Sequence, residues 1–328
     1  MTFAKGLKLV NRDADGVDLA FRADVLAGLA EDQKAIPARW FYDDAGSALF
    51  ENITQLPEYY PTRAETEILT DRAAEIADLI GEGRAVVEFG SGSSVKTPLL
   101  LSACRPSAYF PLDISGDFLR ASAAALADKF PGLPVHPVEA DFMRRVELPA
   151  EVAELPKLGF FPGSTIGNMI ARTATDLLRS MKDTLGEGAL LLIGMDLVKD
   201  EDVLLAAYDD AAGVTARFNL NLAHRVNREL GGDIPVDKLR HEARWNDTFA
   251  RIEMHLVACE DMSFTVSGQR FAMAAGESIH TENSHKFTKR SSQLLLAAGG
   301  WEPRARWTDA AKRFSLVLAE AARPRSAP

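Results

Sequence analysis

Through the middle of the chain apolar residues come in short runs interrupted by charge only at Glu88: Ala85–Phe89, Ala108–Leu112, Leu158–Pro162 and Ala189–Met195. Runs of that length without alternation fit strands buried on both faces. Between them the spacing predicts a helix after Thr97, one over Ser115–Phe130, a short strand over Val135–Glu139 and a helix near Ala174–Leu185. Strands and helices in alternation imply parallel βαβ units in an open, doubly wound α/β sheet, whose ligands sit beyond the carboxyl ends of the strands. Candidate chemistry is therefore expected at Gly90–Gly92, Asp113, Asp141, Gly163–Asn168 and just after Met195.

Outside this block the period changes. Residues 1–61 read as short helices and loops, with a helix over Leu19–Lys34. Thr62-Arg63-Ala64-Glu65 has the form of a capping box, opening a helix whose Ile68, Leu69, Ile76 and Leu79 recur at helical spacing until Gly81 and Gly83. After Asp196, helical stretches over Glu201–Ala212 and Val214–Leu230 precede a Gly231-Gly232 break, and alternation in Arg251–Leu256 predicts antiparallel strands. A helix over Ser292–Ala298 and the apolar Phe314–Leu318 return the chain to the main sheet. The expected organisation is one domain from residues 62–198 and 288–322, and a second, α+β domain from residues 1–61 and an insertion at 199–287, with a frayed tail at 323–328.

With 328 residues, 47% hydrophobic and 26% charged, the chain has the composition of a globular protein with a large core. A net charge of −10 without a clustered basic surface argues against nucleic-acid and membrane partners and favours a small-molecule substrate. Met1–Asp15 lacks the apolar core of a signal peptide, and no run approaches the roughly 20 residues of a membrane span. Cys104 and Cys259 stand far apart, without disulfide or metal spacing, which fits a reducing cytoplasm; a monomer is expected. The six histidines form no metal motif; His280 and His285, five apart in a predicted strand, should face opposite sides, and no metal is expected.

The strand ending at Phe89 runs into Gly90-Ser91-Gly92, a turn that lets backbone approach a ligand closely. Gly90, Lys96 and Thr97 fit a phosphate-loop frame, but Val95 stands where that frame, and the dinucleotide fingerprint, needs a further glycine. What remains is Glu88-Phe89-Gly90-Ser91-Gly92 with a second acid, Asp113, ending the next strand, a pattern that resembles the S-adenosylmethionine site of class I methyltransferases.

More specific segments span nearly the whole chain: Arg39–Asp43, Leu56–Arg63, Gly163–Asn168, Asp196–Asp200, Ala207–Thr215 and Thr281–Phe287. Together they resemble the histidine-specific S-adenosylmethionine-dependent methyltransferase family. The resemblance implies a class I methyltransferase (Rossmann-like) sheet with a second, substrate-binding domain. It also implies successive transfer of three methyl groups to the α-amine of histidine, giving hercynine, the first step of ergothioneine biosynthesis, with S-adenosylhomocysteine as by-product. An α-ammonium has no lone pair, so the nucleophile must be the neutral amine, a form that a neighbouring positive charge favours.

The resemblance carries roles to particular residues. Glu88, Gly90, Gly92, Lys96, Asp113, Asp141 and Phe142 would hold the cofactor: the glycines pass its methionine part, Lys96 meets its carboxylate, Asp113 takes the ribose hydroxyls, and Asp141-Phe142 receives the adenine. On the substrate side Glu282 would accept the imidazole N–H, Tyr59 would meet the other ring nitrogen, and Ser284 shares the Glu282 face if period two holds. Asn168 and Tyr208 would hold the carboxylate or amine, Tyr42 would reach the amine directly or through water, Gly163 belongs to the same loop as Asn168, and Met254 would lie against the ring. Pattern alone puts Met254 in the core with Ile252 and Leu256. Pro162 and His285 depart from the family's pattern beside the expected pocket and leave fine selectivity open. Competing readings are an N-methyltransferase of another aromatic amino acid such as a prenylated tryptophan, a nicotinamide-dependent oxidoreductase, and a non-catalytic S-adenosylmethionine-binding protein.

Overall fold

The computed structural model describes residue 13 and residues 16–92, 96–114, 116–152 and 154–322; most of Met1–Asp15, Val95, Ser115 and the expected tail lie outside the described residues. The helices are α1 (Leu19–Leu29), α2 (Asp44–Thr54), α3 (Tyr60–Asp71), α4 (Ala73–Ile80), α5 (Thr97–Cys104), α6 (Gly116–Lys129), α7 (Ala171–Leu185), α8 (Glu201–Tyr208), α9 (Val214–Leu230) and α10 (Lys289–Ala298). The strands are β1 (Ala85–Phe89), β2 (Ala108–Asp113), β3 (Val138–Glu139), β4 (Lys157–Phe161), β5 (Leu190–Asp196), β6 (Leu239–Asn246), β7 (Arg251–Ala258), β8 (Met262–Val266), β9 (Gln269–Met273), β10 (Ser278–His285), β11 (Trp301–Thr308) and β12 (Phe314–Ala321). They divide into two compact units, residues 61–198 with 287–322 and residues 16–60 with 199–286.

The first unit is a seven-stranded sheet in the order β11-β12-β5-β4-β1-β2-β3. Strands β1 to β5 pair in parallel, and β12 runs antiparallel between β5 and β11. All five residues of β1 are buried because neighbours in it feed opposite layers: Val86 packs with Ile68, Ile76 and Leu100, Val87 with Phe161, Leu177 and Met181. The strand order reverses between β1 and β4, so the loops leaving these strands flank a switch-point crevice. Helix α3 begins at Tyr60, with Pro61 in its first turn, which places Thr62 inside the helix. The capping box expected there is not formed; the Thr62 carbonyl accepts the Thr66 hydroxyl at 2.8 Å.

Gly194 in β5 makes room for α3, since a Cβ there would stand 2.3 Å from Glu65 Oε1 and 2.9 Å from the Phe314 ring. Gly194→Ala is therefore expected to cost about 2 kcal/mol of stability by overpacking, readable as a lower denaturation midpoint at unchanged slope.

In the second unit α9 spans the range expected from sequence, bounded by Gly213 (φ +65°) and Gly231 (φ +59°) in the left-handed region. Helix α8 stops earlier than expected, at Tyr208, because Asp210 turns to accept the N–H groups of Val214 and Thr215 at the start of α9. The antiparallel sheet β10-β7-β6 follows, with β8-β9 as a separate hairpin.

Strand β10 carries a bulge. His280 pairs with His255, but Glu282 pairs with Met254, so Thr281 is the extra residue. Its hydroxyl is held by Asn219 Oδ1 at 2.8 Å and the Met254 carbonyl at 3.0 Å. After it Glu282 and Ser284 lie on one face with Met254 and Ile252, while His285 pairs with Arg251. Unbroken period two would have set His280 and His285 on opposite faces; the bulge puts both on the His255 face.

Candidate active site

Within the first unit the expected cofactor residues other than Glu88 lie at or just beyond the carboxyl ends of β1, β2 and β3. Gly90 has φ +72° and Gly92 φ +39°, and a Cβ on Gly90 would meet the Phe142 ring at 3.5 Å. The Phe142 ring thus caps the turn and leaves bare backbone beneath it, held edge-on between Phe89 and Phe161 at 6.1 and 6.3 Å. Asp113, last in β2, accepts the Gly92 N–H at 3.3 Å. Asp141 accepts the Met143 N–H at 3.0 Å, which turns the chain after β3 and sets the place of Phe142. A glycine turn, a carboxylate at the neighbouring strand end and an aromatic face form a cradle that fits a nucleoside with a charged tail.

Glu88 is a correction to the expected cofactor set. It is fully buried, accepting the Thr97 hydroxyl at 2.7 and 3.0 Å and the Tyr109 hydroxyl at 2.5 Å, so it ties β1 to α5 and β2 rather than facing a ligand. Burial and the Glu88 charge push the Tyr109 hydroxyl's pKa far above its usual value, which keeps it a proton donor in this bond.

Lys96 forms an ion pair with Glu65, whose same oxygen accepts the Gly163 N–H at 2.8 Å. Glu65 is fully buried, and it clasps the loops after β1 and β4 together from α3. It was expected only as a helix-capping residue. Its long-range partners leave no local mark in the sequence. The loop after β4 is wound tightly, with Gly163 at φ +78° and Ser164, a residue with a side chain, at φ +57°. Ser164 Oγ accepts the Asp196 N–H at 2.9 Å, a bond that offsets the strain. Asn168 ends the 3-10 turn Thr165–Asn168 of this loop and is half-buried.

The second unit brings its expected substrate residues into one cluster. Tyr59 stands edge-on to Phe50 and Tyr208, each at 6.3 Å between ring centres, and Tyr42 edge-on to Phe50 at 5.7 Å and Phe218 at 5.9 Å. Phe50 and Phe218 were not among the expected residues. Tyr208 Oη and Ser284 Oγ lie 2.6 Å apart, and Lys286 Nζ donates to both, at 3.0 and 2.7 Å. Lys286, 3% exposed, was also not assigned a role, although it continues the two-residue spacing of Glu282 and Ser284.

Desolvation raises the Glu282 carboxyl to about 7, with Lys286 pulling in the other direction. Protein packed around Tyr42 and the nearby Glu282, Tyr59 and Tyr208 hold its hydroxyl well above its usual pKa, although 44% of the residue is accessible. Because the folded protein holds the Glu282 proton more tightly than the unfolded chain, whose carboxyl titrates near 4.5, stability falls as pH rises from that value through about 7. Glu282→Gln is thus expected to be more stable than the parent by about 3 kcal/mol at pH 8 and by little at pH 4, measured by denaturant unfolding at both.

Behind β10, Glu253, His255 and His280 place ligand-type atoms within 4.8 Å of one another, a cluster that sequence spacing did not reveal. These atoms are already engaged. Glu253 holds Arg251 at 2.6 Å and Asn246 at 2.9 Å, His255 meets Ser278 at 3.0 Å, and His280 meets the Glu282 carbonyl at 3.0 Å. Burial and His280 lower His255 to about 4, and hydrogen bonds from Arg251, His255 and Asn246 outweigh burial to bring Glu253 to about 2. The cluster is a neutral imidazole stack beside an Arg–Glu pair. Among the described residues, no helix is long and apolar enough to cross a membrane.

A sequence profile described as histidine-specific methyltransferase, SAM-dependent, matches residues 21–321. A histidine N-alpha-methyltransferase of Mycolicibacterium smegmatis is 43% identical over 93% of this chain and 96% of its own length. Ergothioneine biosynthesis protein 1 of Neurospora crassa is 29% identical over 84% of this chain, which matches 32% of that longer protein. A 4-dimethylallyltryptophan N-methyltransferase of Epichloe festucae var. lolii is 26% identical over 87% of this chain and 90% of its own length.

Proposed function

Because the chain belongs to the histidine-specific, S-adenosylmethionine-dependent methyltransferases, we propose that it trimethylates the α-amine of L-histidine to hercynine, the entry step to ergothioneine. S-adenosylmethionine supplies, when bound, an electrophilic methyl group. Everything else falls to this chain. Gly90 and Gly92 give the close backbone approach, Asp113 takes the ribose hydroxyls, Phe142 offers a face to the adenine with Asp141 beside it, and Lys96, steadied by Glu65, meets the carboxylate. Glu88 is left out of this set.

The observation that carries the choice of substrate is Glu282, a carboxyl raised to about 7 on one sheet face with Met254 and Ser284. Such an acceptor gains when a ligand N–H displaces its poor surroundings, and an imidazole supplies that donor. The hydroxyls of Tyr59 and Ser284 serve the second ring nitrogen. Tyr208 and Tyr42 hold the amino-acid end with neutral groups, which leaves the amine able to shed its proton and turn between methyl transfers. Mass spectrometry of an amino-acid panel incubated with the protein and S-adenosylmethionine tests the proposal. Histidine gaining three methyl groups supports it; turnover of a tryptophan derivative alone overturns it.

A further inference from the structure

We propose that Lys286 is a positioning residue that fixes the direction of the Tyr208–Ser284 hydrogen bond, so that Ser284 is presented to the ligand as a donor only. This inference rests on the histidine reading above. Three atoms form a closed triangle: Lys286 Nζ to Ser284 Oγ at 2.7 Å, Lys286 Nζ to Tyr208 Oη at 3.0 Å, and Oη to Oγ at 2.6 Å. An ammonium has donors and no acceptor, so both hydroxyl oxygens must accept from it. One hydroxyl proton then lies between the two oxygens. The phenol is the stronger acid, and accepting from a cation strengthens it further, so Tyr208 donates and Ser284 accepts. Having accepted twice, the Ser284 oxygen has only its own proton left to offer.

Ser284 and Glu282 sit two residues apart on one face of β10, beside Met254. That face then offers one acceptor, Glu282, and one donor, Ser284. A neutral imidazole has one N–H and one bare nitrogen and satisfies both. An indole has an N–H only and would leave the Ser284 proton unpaired, at the cost that attaches to any buried polar group without a partner. Without the Lys286 cation the two hydroxyls are free to reverse, and Ser284 becomes an acceptor as readily as a donor.

The same ammonium acts on Glu282. The groups that bear on that carboxyl are Lys286 on its own strand and, from the other elements, Tyr42, grouped with Tyr59 and Tyr208; the His280 ring meets only its main-chain carbonyl, and Glu253 lies on the opposite face with Arg251. Lys286 is the group that draws the Glu282 pKa down. Its removal should carry that pKa higher and leave the carboxyl protonated, and unable to accept, over more of the neutral range.

The test is calorimetric titration of histidine into Lys286→Met and Lys286→Arg from pH 6.5 to 9.5, with S-adenosylhomocysteine titrated as a control. Histidine affinity of Lys286→Met is expected to fall roughly 10-fold near pH 7.5 and to recover part of that loss as pH rises, with by-product affinity unchanged. Lys286→Arg, which keeps the charge, should follow the parent's pH profile. Should Lys286→Met fail to fold, Lys286→Gln makes the same neutral comparison. Histidine's own titration enters parent and variants alike and cancels. Unchanged affinity in the neutral variants, or a loss in Lys286→Arg as large as theirs, overturns the role assigned to Lys286; a loss equal at every pH overturns its action on Glu282. Absence of histidine binding by the parent would instead overturn the substrate reading.

Discussion

Glu282→Ala should lower histidine affinity by about 100-fold or more and leave S-adenosylhomocysteine affinity nearly unchanged. A hydrogen bond to a charged group is worth roughly 1.5–3 kcal/mol, and the imidazole N–H left without an acceptor in an apolar pocket adds its own penalty. The parent's affinity should itself fall as pH drops through about 7, where the carboxyl takes up a proton. In Glu282→Ala that component of the pH profile should vanish, leaving the titration of free histidine. Calorimetry at pH 6 and pH 8 separates the two contributions; unaltered histidine affinity in the variant would remove Glu282 from the site.

Asp113→Ala should weaken S-adenosylhomocysteine binding on the same order, about 100-fold, because one carboxylate is assigned two ribose hydroxyls. The variant should also lose about 1 kcal/mol of stability without ligand, since the Gly92 N–H loses the acceptor it has at 3.3 Å. The two readouts distinguish ligand recognition from loop support: if Asp113 only supports the turn, stability falls while ligand affinity moves by less than about 10-fold.

Where interactions are local, the sequence shows them well. Continuous apolar runs became the buried β1, β2, β4 and β5, and the glycines flanking α9 mark its ends. The doubly wound sheet follows from their alternation with helices. Errors arise where a pattern has two physical solutions. Thr62 to Glu65 has capping-box spacing, yet the same spacing occurs inside any helix, and Pro61 was the better sign of where α3 begins. Glu88 looked like a motif acid because its partners, Thr97 and Tyr109, come together only when β1, β2 and α5 assemble. Glu65 was missed for the same reason. Lys286 was within reach, being two residues beyond Ser284, but lysine is seldom buried, and residue type outweighed position.

The bulge at Thr281 acts as a parity bit for everything that follows it in β10. Were Thr281 paired as an ordinary ladder residue, with no side chain assigned to the substrate altered, the two faces of the strand beyond it would be exchanged. Glu282 and Ser284 would join the His255 stack, and Asn283 and His285 would turn toward Met254. Odd and even positions would trade places as a block. The chemistry of this wall is therefore written in a count of residues as much as in their identity, and Asn219, which grips the Thr281 hydroxyl, guards that count from another helix.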